Sequence, residues 1–262
     1  MRHLRAILRL ALFLGFSSFM YVLALLQIPV SWLAPRFGRR LHDASVTTWA
    51  RGCCRIIGLH VAVEGEPPSP PFFLVSNHLS YVDIVALMAQ APVVFVAKSE
   101  VSRWPFLGRL SRAANTIFVD RAKRSDVVRV NELIAGMIGS GRSVLVFPEG
   151  TSSRGAEVLP FRSSLLEPAV KIGHPVAAAS LAYRTPAGWP TADESVCWWG
   201  DMTFPDHFYR MLQIPRVDAA LCFAAQPVSA PERHALAEGL HAAVSAQFVA
   251  SQQGATVAAA PS

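Results

Sequence analysis

The first part of the chain is dominated by one long apolar run. No charged residue occurs from Leu10 to Ala34, where Leu, Phe, Ala and Val predominate. About 20 apolar residues are enough for a helix to cross a bilayer, and Leu10 to Ile28 is close to that length before Pro29, which ends or kinks a helix. A cleaved signal peptide has an apolar core of roughly 7–15 residues followed by small residues, whereas this run is longer and its far end is bulky. The pattern therefore predicts a retained helical segment embedded in a membrane.

The charges on either side of this run do not determine its orientation in the membrane. Arginines stand at both flanks, as Arg2, Arg5 and Arg9 and then as Arg36, Arg39 and Arg40. Because the positive-inside rule compares the two flanks, two arrangements stay open. One is a single span whose C-terminal side is cytosolic. The other is a re-entrant or half-buried helix pair broken at Pro29, with both flanks on the cytosolic face. Either arrangement places the remainder of the chain on the cytoplasmic face of the cell membrane.

The remaining residues alternate between helical and β-type patterns. Residues 39–58 carry apolar side chains at helical spacing. Short apolar runs after them predict strands at His60–Val63, Phe72–Val75, Val93–Ala97, Thr116–Val119, Ser143–Phe147 and Val176–Leu181. The stretches between them predict helices at Ile84–Gln90, Ser102–Arg112, Ser125–Gly139 and Leu165–Ile172. Continuous apolar strands are typical of a sheet that is covered on both faces. Their alternation with helices indicates an α/β domain, with a mixed sheet flanked by helices.

These patterns divide the chain into three regions. Residues 1–58 are expected to form a membrane-anchoring helical segment, residues 59–250 the α/β domain, and residues 251–262 a disordered tail. A last helix is expected from beyond Pro231 to about Val249, after which the sequence is rich in Ala and has no periodicity.

Composition and charge favour a membrane surface as partner. Hydrophobic residues make up 52% of the chain and charged residues 16%, while soluble domains carry about 25% charged residues. The net charge of +6 suits anionic lipid, nucleic acid or an anionic small substrate. The chain has no basic helix with heptads, no finger spacing and no aromatic RNA-binding signature. The cysteines have neither metal-type spacing nor the pattern of a disulfide framework; they are Cys53, Cys54, Cys197 and Cys222. We expect buried thiols, no nucleic acid, no metal ion and no cofactor.

The strongest chemical pattern is Asn77-His-Leu-Ser-Tyr-Val-Asp83, directly after a predicted strand. An imidazole and a carboxylate five positions apart can meet where a strand ends and a helix begins. The carboxylate then fixes the tautomer of His78, which leaves the second ring nitrogen free to take a proton from a hydroxyl. The alternative is structural: His78 caps the strand, and Asp83 caps the helix that follows it.

Two further segments end apolar strands with polar residues. In Val144–Gly155, Gly150 and the hydroxyl residues after it can let a backbone turn approach a phosphate, with Arg154 nearby. Alone, the same residues form an ordinary Pro-Glu-Gly turn. The strand Asn115–Arg121 delivers an acid–base pair to its end, which in isolation is a surface ion pair of little energetic value.

Taken together, the three blocks resemble the glycerolipid acyltransferase family, whose best-known members are the 1-acylglycerol-3-phosphate acyltransferases. That family has a His-x4-Asp block, a block ending in Phe-(Ile/Val)-Asp-Arg and a Phe-Pro-Glu-Gly-Thr block in this order, and the similarity runs from about Phe72 to Leu181. The resemblance implies that His78 is the general base with Asp83 as its partner. It also implies that Arg121 helps to hold the anionic headgroup of the acceptor. The other residues expected at the acceptor site are Glu149, Gly150, Thr151, Ser152 and Arg154.

The chain departs from the family pattern where an acceptor headgroup would bind. Ser152 stands where phosphatidic-acid-forming members usually have Arg, and Arg154 is in a position to compensate. Phe161–Ser164 replaces a Phe-Lys-x-Gly element, and Pro175–Ala178 replaces a Pro-x-x-Pro element. The sequence around Ser152, together with Trp198-Trp-Gly-Asp-Met202, is similar to that of the lyso-ornithine-lipid acyltransferases of the same family.

The resemblance implies transfer of a fatty acyl chain from acyl-CoA or acyl carrier protein to the free hydroxyl of a membrane lysolipid. The first expected acceptor is 1-acylglycerol-3-phosphate, which would become phosphatidic acid. The alternative is a lyso-ornithine-lipid O-acyltransferase with the same His–Asp mechanism. A serine hydrolase is not favoured because GxSxG spacing is absent. A non-catalytic lipid-binding membrane protein is not favoured because His78, Asp83 and Glu149 are intact.

Overall fold

The computed structural model of the protein describes residues 1–257, with side chains described as far as Phe248. Its N-terminal part is a helical hairpin made of α1 (Arg2–Leu26), the short α2 (Ile28–Leu33) and α3 (Pro35–Ile57). The two long helices run side by side: Trp49 Nε1 donates to Ser17 Oγ at 3.0 Å, and Gln27 Nε2 donates to Ser45 Oγ at 2.8 Å. Both ends of the hairpin lie at the α/β domain, since Arg5 and Arg9 of α1 contact it and α3 leads directly into its first strand.

Helix α1 begins at Arg2, before the apolar run, and so includes the arginines that precede that run. Arg5 donates to the carbonyl of Gln213 at 2.8 Å, and Arg9 donates to the carbonyls of Ile214 and Pro215 at 2.5 and 2.8 Å. These two side chains had been expected to bind the membrane surface, and they instead hold α1 against the α/β domain. The stretch Arg2–Leu33 is long and apolar enough to cross a membrane, and only 17% of its most apolar window is buried.

The α/β domain contains a mixed sheet, as predicted, with seven strands where the sequence had predicted six. The strands are β1 (Leu59–Glu64), β2 (Phe73–Ser76), β3 (Val94–Lys98), β4 (Ile117–Val119), β5 (Val144–Val146), β6 (Val176–Arg184) and β7 (Val217–Phe223). Their spatial order is β1-β7-β6-β2-β5-β3-β4, and neighbouring strands are parallel except for the antiparallel pair β6–β7. The sequence did not predict β7, because its Asp and two Ala residues have low β-propensity. Pairing with β1 and β6 on both sides overrides that local preference.

Helices cover both faces of this sheet. The remaining helices are α4 (Val82–Met88), α5 (Leu107–Ala113), α6 (Arg124–Gly139), α7 (Glu167–Ile172), α8 (Ala192–Ser195), α9 (Phe204–Met211) and α10 (Arg233–Val257). Side chains alternate along β2, so that Leu74 joins one apolar cluster with α3, α4 and α9, while Phe73 joins the other with α6 and α10. Most predicted elements lie within one or two residues of their observed bounds.

Two predicted helices differ from the observed ones. The stretch predicted at Ser102–Arg112 is a 3₁₀ turn (Ser99–Arg103) followed by α5. Pro105 cannot donate a backbone hydrogen bond, and Phe106 has a positive φ of 62°, so a helix cannot continue through them. The last helix reaches Val257 rather than Val249; Gln252, Gln253 and Ala255 favour a helix in this stretch, although it also contains Gly254. The rest of the predicted tail, residues 258–262, lies outside the described residues.

Candidate active site

Parallel pairing brings the sequence blocks together at one edge of the sheet. Strands β2 and β5 are parallel neighbours, with Phe73 opposite Val144, so His78 and Gly150 both follow the carboxyl end of a strand. Strand β4 lies two positions beyond β5 and ends just before Arg121. The carboxyl edge is where open α/β sheets bind ligands, and here it collects all three blocks.

His78 and Asp83 form a hydrogen-bonded dyad. His78 Nδ1 lies 2.7 Å from Asp83 Oδ2, and the aspartate is completely buried. The same oxygen accepts the backbone N–H groups of Leu79 and Ser80 at 2.7 and 2.9 Å. Asp83 Oδ1 accepts the hydroxyl of Tyr183 at 2.6 Å. Asp83 therefore stabilises the turn before α4, but it does not cap that helix as the structural alternative proposed, because it lies within the first turn of α4 and accepts from residues that precede it. Its four hydrogen bonds fix the direction in which it faces His78.

Ring stacking also holds the imidazole of His78, and two hydrogen bonds hold its backbone. Its ring stacks on Phe147, with centroids 4.2 Å apart and planes 15° from parallel. Its backbone N–H donates to Glu149 Oε1 at 3.2 Å, and its carbonyl accepts from the N–H of Ser153 at 2.9 Å. Because Nδ1 faces the carboxylate, the proton-accepting nitrogen available to a substrate is Nε2.

Two residues that support the dyad were not identified from the sequence. Asn77 clamps the His-Asp turn to β6: its Nδ2 donates to the carbonyl of Leu181 at 2.9 Å, and its Oδ1 accepts from the N–H of the same residue at 2.7 Å. Tyr183 reaches Asp83 from the same strand, 100 positions along the chain. Strand β6 was expected to end at Leu181, and a tyrosine beyond it gave no local signal of a catalytic partner.

Glu149 is a buried carboxyl group that accepts a hydrogen bond from the backbone of His78. Only 3% of the residue is exposed. Burial raises the pKa of Glu149 from 4.5 to about 8, the nearby charge of Asp83 acts in the same direction, and the backbone N–H of His78 opposes both. The side chain is therefore mostly neutral at pH 7, which allows it to sit beside an ionised aspartate.

Replacing Glu149 by glutamine should stabilise the protein increasingly as pH rises. A carboxyl whose folded-state pKa is raised costs nothing below its unfolded value of 4.5, and the cost grows as pH rises through the window from 4.5 to about 8. The glutamine side chain keeps an acceptor for the His78 N–H and does not ionise. We expect Glu149→Gln to gain on the order of 1–3 kcal/mol relative to wild type between pH 5 and pH 8.5, measured as a difference in Tm.

The matched control is Glu238→Gln, an exposed residue on α10. Its Tm difference from wild type, measured at the same pH values, is the baseline for comparison. A pH-independent difference for Glu149→Gln would show that the buried carboxyl does not titrate in this window.

Gly150 lets a guanidinium approach the backbone of the third block. Its φ is +80°, and a Cβ atom there would lie 2.8 Å from Nη1 of Arg121 and 3.2 Å from Nε of Arg162. Arg121 Nη1 donates to the carbonyl of Gly150 at 2.5 Å. Burial, with a smaller contribution from the charge of Arg162, lowers the pKa of Arg121. Two positive groups thus flank one turn, and Arg162 belongs to this set although the sequence did not identify it.

The other predicted acceptor residues divide into two groups. Thr151 and Ser152 line the same cavity as His78, and Ser152 Oγ donates to the carbonyl of Trp198. Arg154 does not line that cavity. It pairs with Asp193 at 3.0 Å, and its guanidinium lies 5.4 Å from the ring centroid of Trp199. The structure therefore does not bring Arg154 to the position in which it would replace the missing arginine.

The dyad opens into one large cavity of about 500 Å³. Its polar lining residues include His78, Arg121 and the Gly150–Ser152 turn, together with Lys98 and Glu100. The other walls are almost entirely apolar and come from the hairpin as well as the α/β domain; they include Phe13, Ile57, Val85, Trp104, Leu110 and Phe208. The site thus joins a basic rim and a proton acceptor to a long apolar interior. In residues 1–257 no cluster of three or more His, Cys, Asp or Glu side chains is placed to hold a metal ion.

Comparison with known proteins gives the family. The model of the family described as Acyltransferase matches residues 60–182. A lyso-ornithine lipid O-acyltransferase from Pseudomonas aeruginosa is 34% identical over 221 residues, which cover 81% of each chain. A 1-acyl-sn-glycerol-3-phosphate acyltransferase from Neisseria meningitidis is 29% identical over 208 residues, or 78% of this chain and 80% of the other. The crystal structure of the 1-acyl-sn-glycerophosphate acyltransferase PlsC from Thermotoga maritima superposes over the full length of both chains with a TM-score of 0.70 at 21% identity, so the fold is shared. The chain belongs to the acyltransferase family, as its three sequence blocks had indicated.

Proposed function

We propose that the protein is an O-acyltransferase that moves a fatty acyl chain from a thioester donor to the free hydroxyl of a lysolipid. The observation that carries this proposal is the contact between His78 and Asp83 beside a large, mostly apolar cavity. A hydroxyl-bearing lipid can place its chain in such a cavity and its hydroxyl at the imidazole. Relatives along most of the chain are named for this type of reaction.

The dyad supplies general-base catalysis. His78 Nε2 takes the proton of the acceptor hydroxyl while the oxygen bonds to the thioester carbonyl carbon. The tetrahedral intermediate then collapses, the carbon–sulfur bond breaks, and the leaving thiolate takes the proton back from His78. Asp83 holds the imidazole in the required tautomer and stabilises its charged form between the two steps. No acyl group becomes covalently attached to the protein during these steps.

The acceptor headgroup is proposed to bind at the Gly150 turn. Guanidinium nitrogens of Arg121 and Arg162 lie 2.8 and 3.2 Å from the position that a Cβ atom of Gly150 would take, and Arg121 also lines the cavity of His78. Guanidinium groups bind phosphate or carboxylate through charge-assisted hydrogen bonds. The neutral form of Glu149 avoids repulsion of an anion from behind the turn. We therefore propose 1-acylglycerol-3-phosphate as the first acceptor.

One contact favours a lyso-ornithine lipid as a second candidate acceptor. Ser152 hydrogen-bonds to Trp198, the first residue of the Trp-Trp-Gly-Asp-Met segment, and Arg154 is turned away to Asp193. The rim therefore carries fewer cations than the family pattern for phosphatidic-acid-forming members. A headgroup with one carboxylate and one amine requires fewer cations than a phosphate monoester.

Membrane attachment is proposed to occur through the exposed face of the hairpin. Large apolar side chains cover that face of α1 and α2, among them Leu4, Ile7, Leu8, Leu12, Phe19, Leu26, Trp32 and Leu33. Because α1 and α3 both return to the α/β domain, the hairpin is suited to entering one leaflet rather than crossing the bilayer. We propose that it lies in the cytoplasmic leaflet of the cell membrane, where acyl-CoA or acyl carrier protein can supply the acyl chain.

An acyl-transfer assay tests this function directly. The detergent-purified protein is offered labelled acyl-CoA or acyl carrier protein with lysophosphatidic acid or lyso-ornithine lipid. Product from lysophosphatidic acid supports the first acceptor and shows that Ser152 is compatible with it. Product from lyso-ornithine lipid alone supports the second. Absence of product from both acceptors with both donors would contradict the proposal.

Arg121 and Arg154 offer a matched pair of substitutions for the headgroup. We expect Arg121→Gln to raise the KM for the acceptor roughly ten- to hundredfold, because a charge-assisted hydrogen bond contributes about 1.5–3 kcal/mol. Arg154→Gln removes the same charge from outside the cavity and should change KM less than about twofold. Steady-state kinetics with unchanged Tm values check both. Equal effects of the two substitutions would place the headgroup elsewhere.

A further inference from the structure

A second cavity, of about 410 Å³, lies at the closed end of the hairpin. None of its lining residues lines the cavity of the His–Asp dyad. The hairpin turn lines it with the apolar Leu25, Ile28 and Pro35 and with the polar Gln27 and Ser31. The basic part of its wall consists of Arg39 of α3, Arg112 of α5 and Arg142, which precedes β5. We call this cavity, defined by those three arginines, the basic pocket.

The three guanidinium groups keep most of their hydrogen-bonding capacity. Arg39 donates to the carbonyl of Ser140 at 2.7 Å, and Arg112 donates to the carbonyl of Ser102 at 2.6 Å. Arg142 faces Asp43 at 3.9 Å, which is longer than a hydrogen bond. A guanidinium has five N–H donors, so each side chain retains donors for a ligand.

The charge balance of the basic pocket favours an anion. Three guanidinium groups are opposed by the one carboxylate of Asp43, which is adjacent to the wall. Burial lowers the pKa of Arg142; the negative charge of Asp43 opposes this effect, and the positive charge of Arg39 acts in the same direction as burial. An anion between these side chains would relieve both the repulsion and the lost hydration.

The surroundings of the basic pocket indicate a lipid rather than a free anion. The hairpin turn at its mouth exposes Trp32 by 81%, Leu33 by 88% and Phe37 by 60%. Amphipathic aromatics beside arginines are typical of the headgroup depth of a bilayer. A phospholipid seated there would place its headgroup against the basic wall and its first acyl carbons against Leu25 and Ile28.

We propose that the basic pocket binds the headgroup of an anionic phospholipid of the bilayer, separately from the lysolipid that reacts at His78. The proposal rests on the membrane attachment proposed above. The bound lipid would link the hairpin turn to α5 and to the residues that precede β5. It would thereby set how deeply the hairpin enters the leaflet.

Native mass spectrometry of the full-length protein tests the site. The probe is an equal mixture of phosphatidylglycerol and phosphatidylcholine in detergent. Wild type should retain one phosphatidylglycerol in preference to phosphatidylcholine. Arg142→Gln and Arg39→Gln should each weaken that retention about fivefold, because a basic residue near an anionic lipid contributes about 1 kcal/mol. Arg39 is exposed, so its variant keeps the test valid if Arg142→Gln fails to fold.

Arg233→Gln is the charge-matched control, since Arg233 pairs with Glu167 far from the hairpin. It should retain phosphatidylglycerol as wild type does. Equal retention by all variants, or no preference over phosphatidylcholine, would overturn the proposal. Binding of inorganic phosphate at Arg142 without any preference for phosphatidylglycerol would also overturn it, in favour of a free anion. Acyl transfer in the same detergent samples should be unaffected by Arg39→Gln, so a failure of the lipid site is distinguishable from a failure of the proposed reaction.

Discussion

The variant His78→Ala is expected to fold normally and to lose about 10²–10⁴-fold in kcat, the contribution of a well-placed general base. The imidazole is the one group in the His–Asp dyad that faces the cavity, and its side chain is 21% exposed. Its removal leaves Asp83 with three other hydrogen-bond donors, so the turn before α4 should persist. Acyl transfer and Tm are measured on the same preparations.

An exposed histidine provides the matched control. His60 lies on the outer strand β1, and His60→Ala should transfer acyl chains at the wild-type rate. Activity near wild type in His78→Ala would remove the general-base role. A large fall in Tm for that variant would instead assign the loss to folding.

The second large effect is expected for Asp83→Asn. An asparagine can keep its carbonyl oxygen toward His78, Leu79 and Ser80, and its amide group can donate to the hydroxyl of Tyr183, which then acts as an acceptor. The hydrogen-bond count is preserved, so the protein should fold. The negative charge that stabilises the imidazolium is lost, and we expect kcat to fall by about 10²–10⁴-fold.

Two measurements separate this explanation from a loss of structure. The Tm of Asp83→Asn should stay close to that of wild type, and KM for the acceptor should change little because Asp83 does not line the cavity. A kcat within about threefold of wild type would show that the charge of Asp83 does not assist His78.

The elements of the fold that sequence patterns predicted are those with strong local signals. Continuous apolar runs marked β2, β3 and β5, since strands of a sheet covered on both faces are rich in apolar residues without alternation. Strand β7 was not predicted because its residues have no clear local preference for a strand, which forms only when β1 and β6 pair with it. The return of α1 to the α/β domain could not be predicted from the sequence, because the contacts that hold it join Arg5 and Arg9 to residues more than 200 positions away.

In the candidate site, too, local contacts were predictable from the sequence and contacts between distant segments were not. The contact of His78 with Asp83 was predictable because five positions separate them at a strand–helix junction. Tyr183 and Arg162 reach the site from distant segments, and their roles depend on strand order and on the positive φ of Gly150. Arg154 was expected at the headgroup from its place in the sequence alone. Asp193, 39 positions away, draws its side chain elsewhere, which no local pattern reveals.

The anchoring of α1 has a practical consequence for producing the protein. Phe13 of α1 forms part of the cavity wall, and Arg9 binds backbone carbonyls of the loop that precedes β7. Trimming the first helix to obtain a water-soluble enzyme would therefore remove part of the wall of the cavity beside His78, together with the proposed membrane contact. Solubility is better sought by polar substitution of outward side chains such as Leu8 and Phe19, which are 57% and 59% exposed. Such changes leave the inner face of the helix, and with it the shape of the reaction chamber, intact.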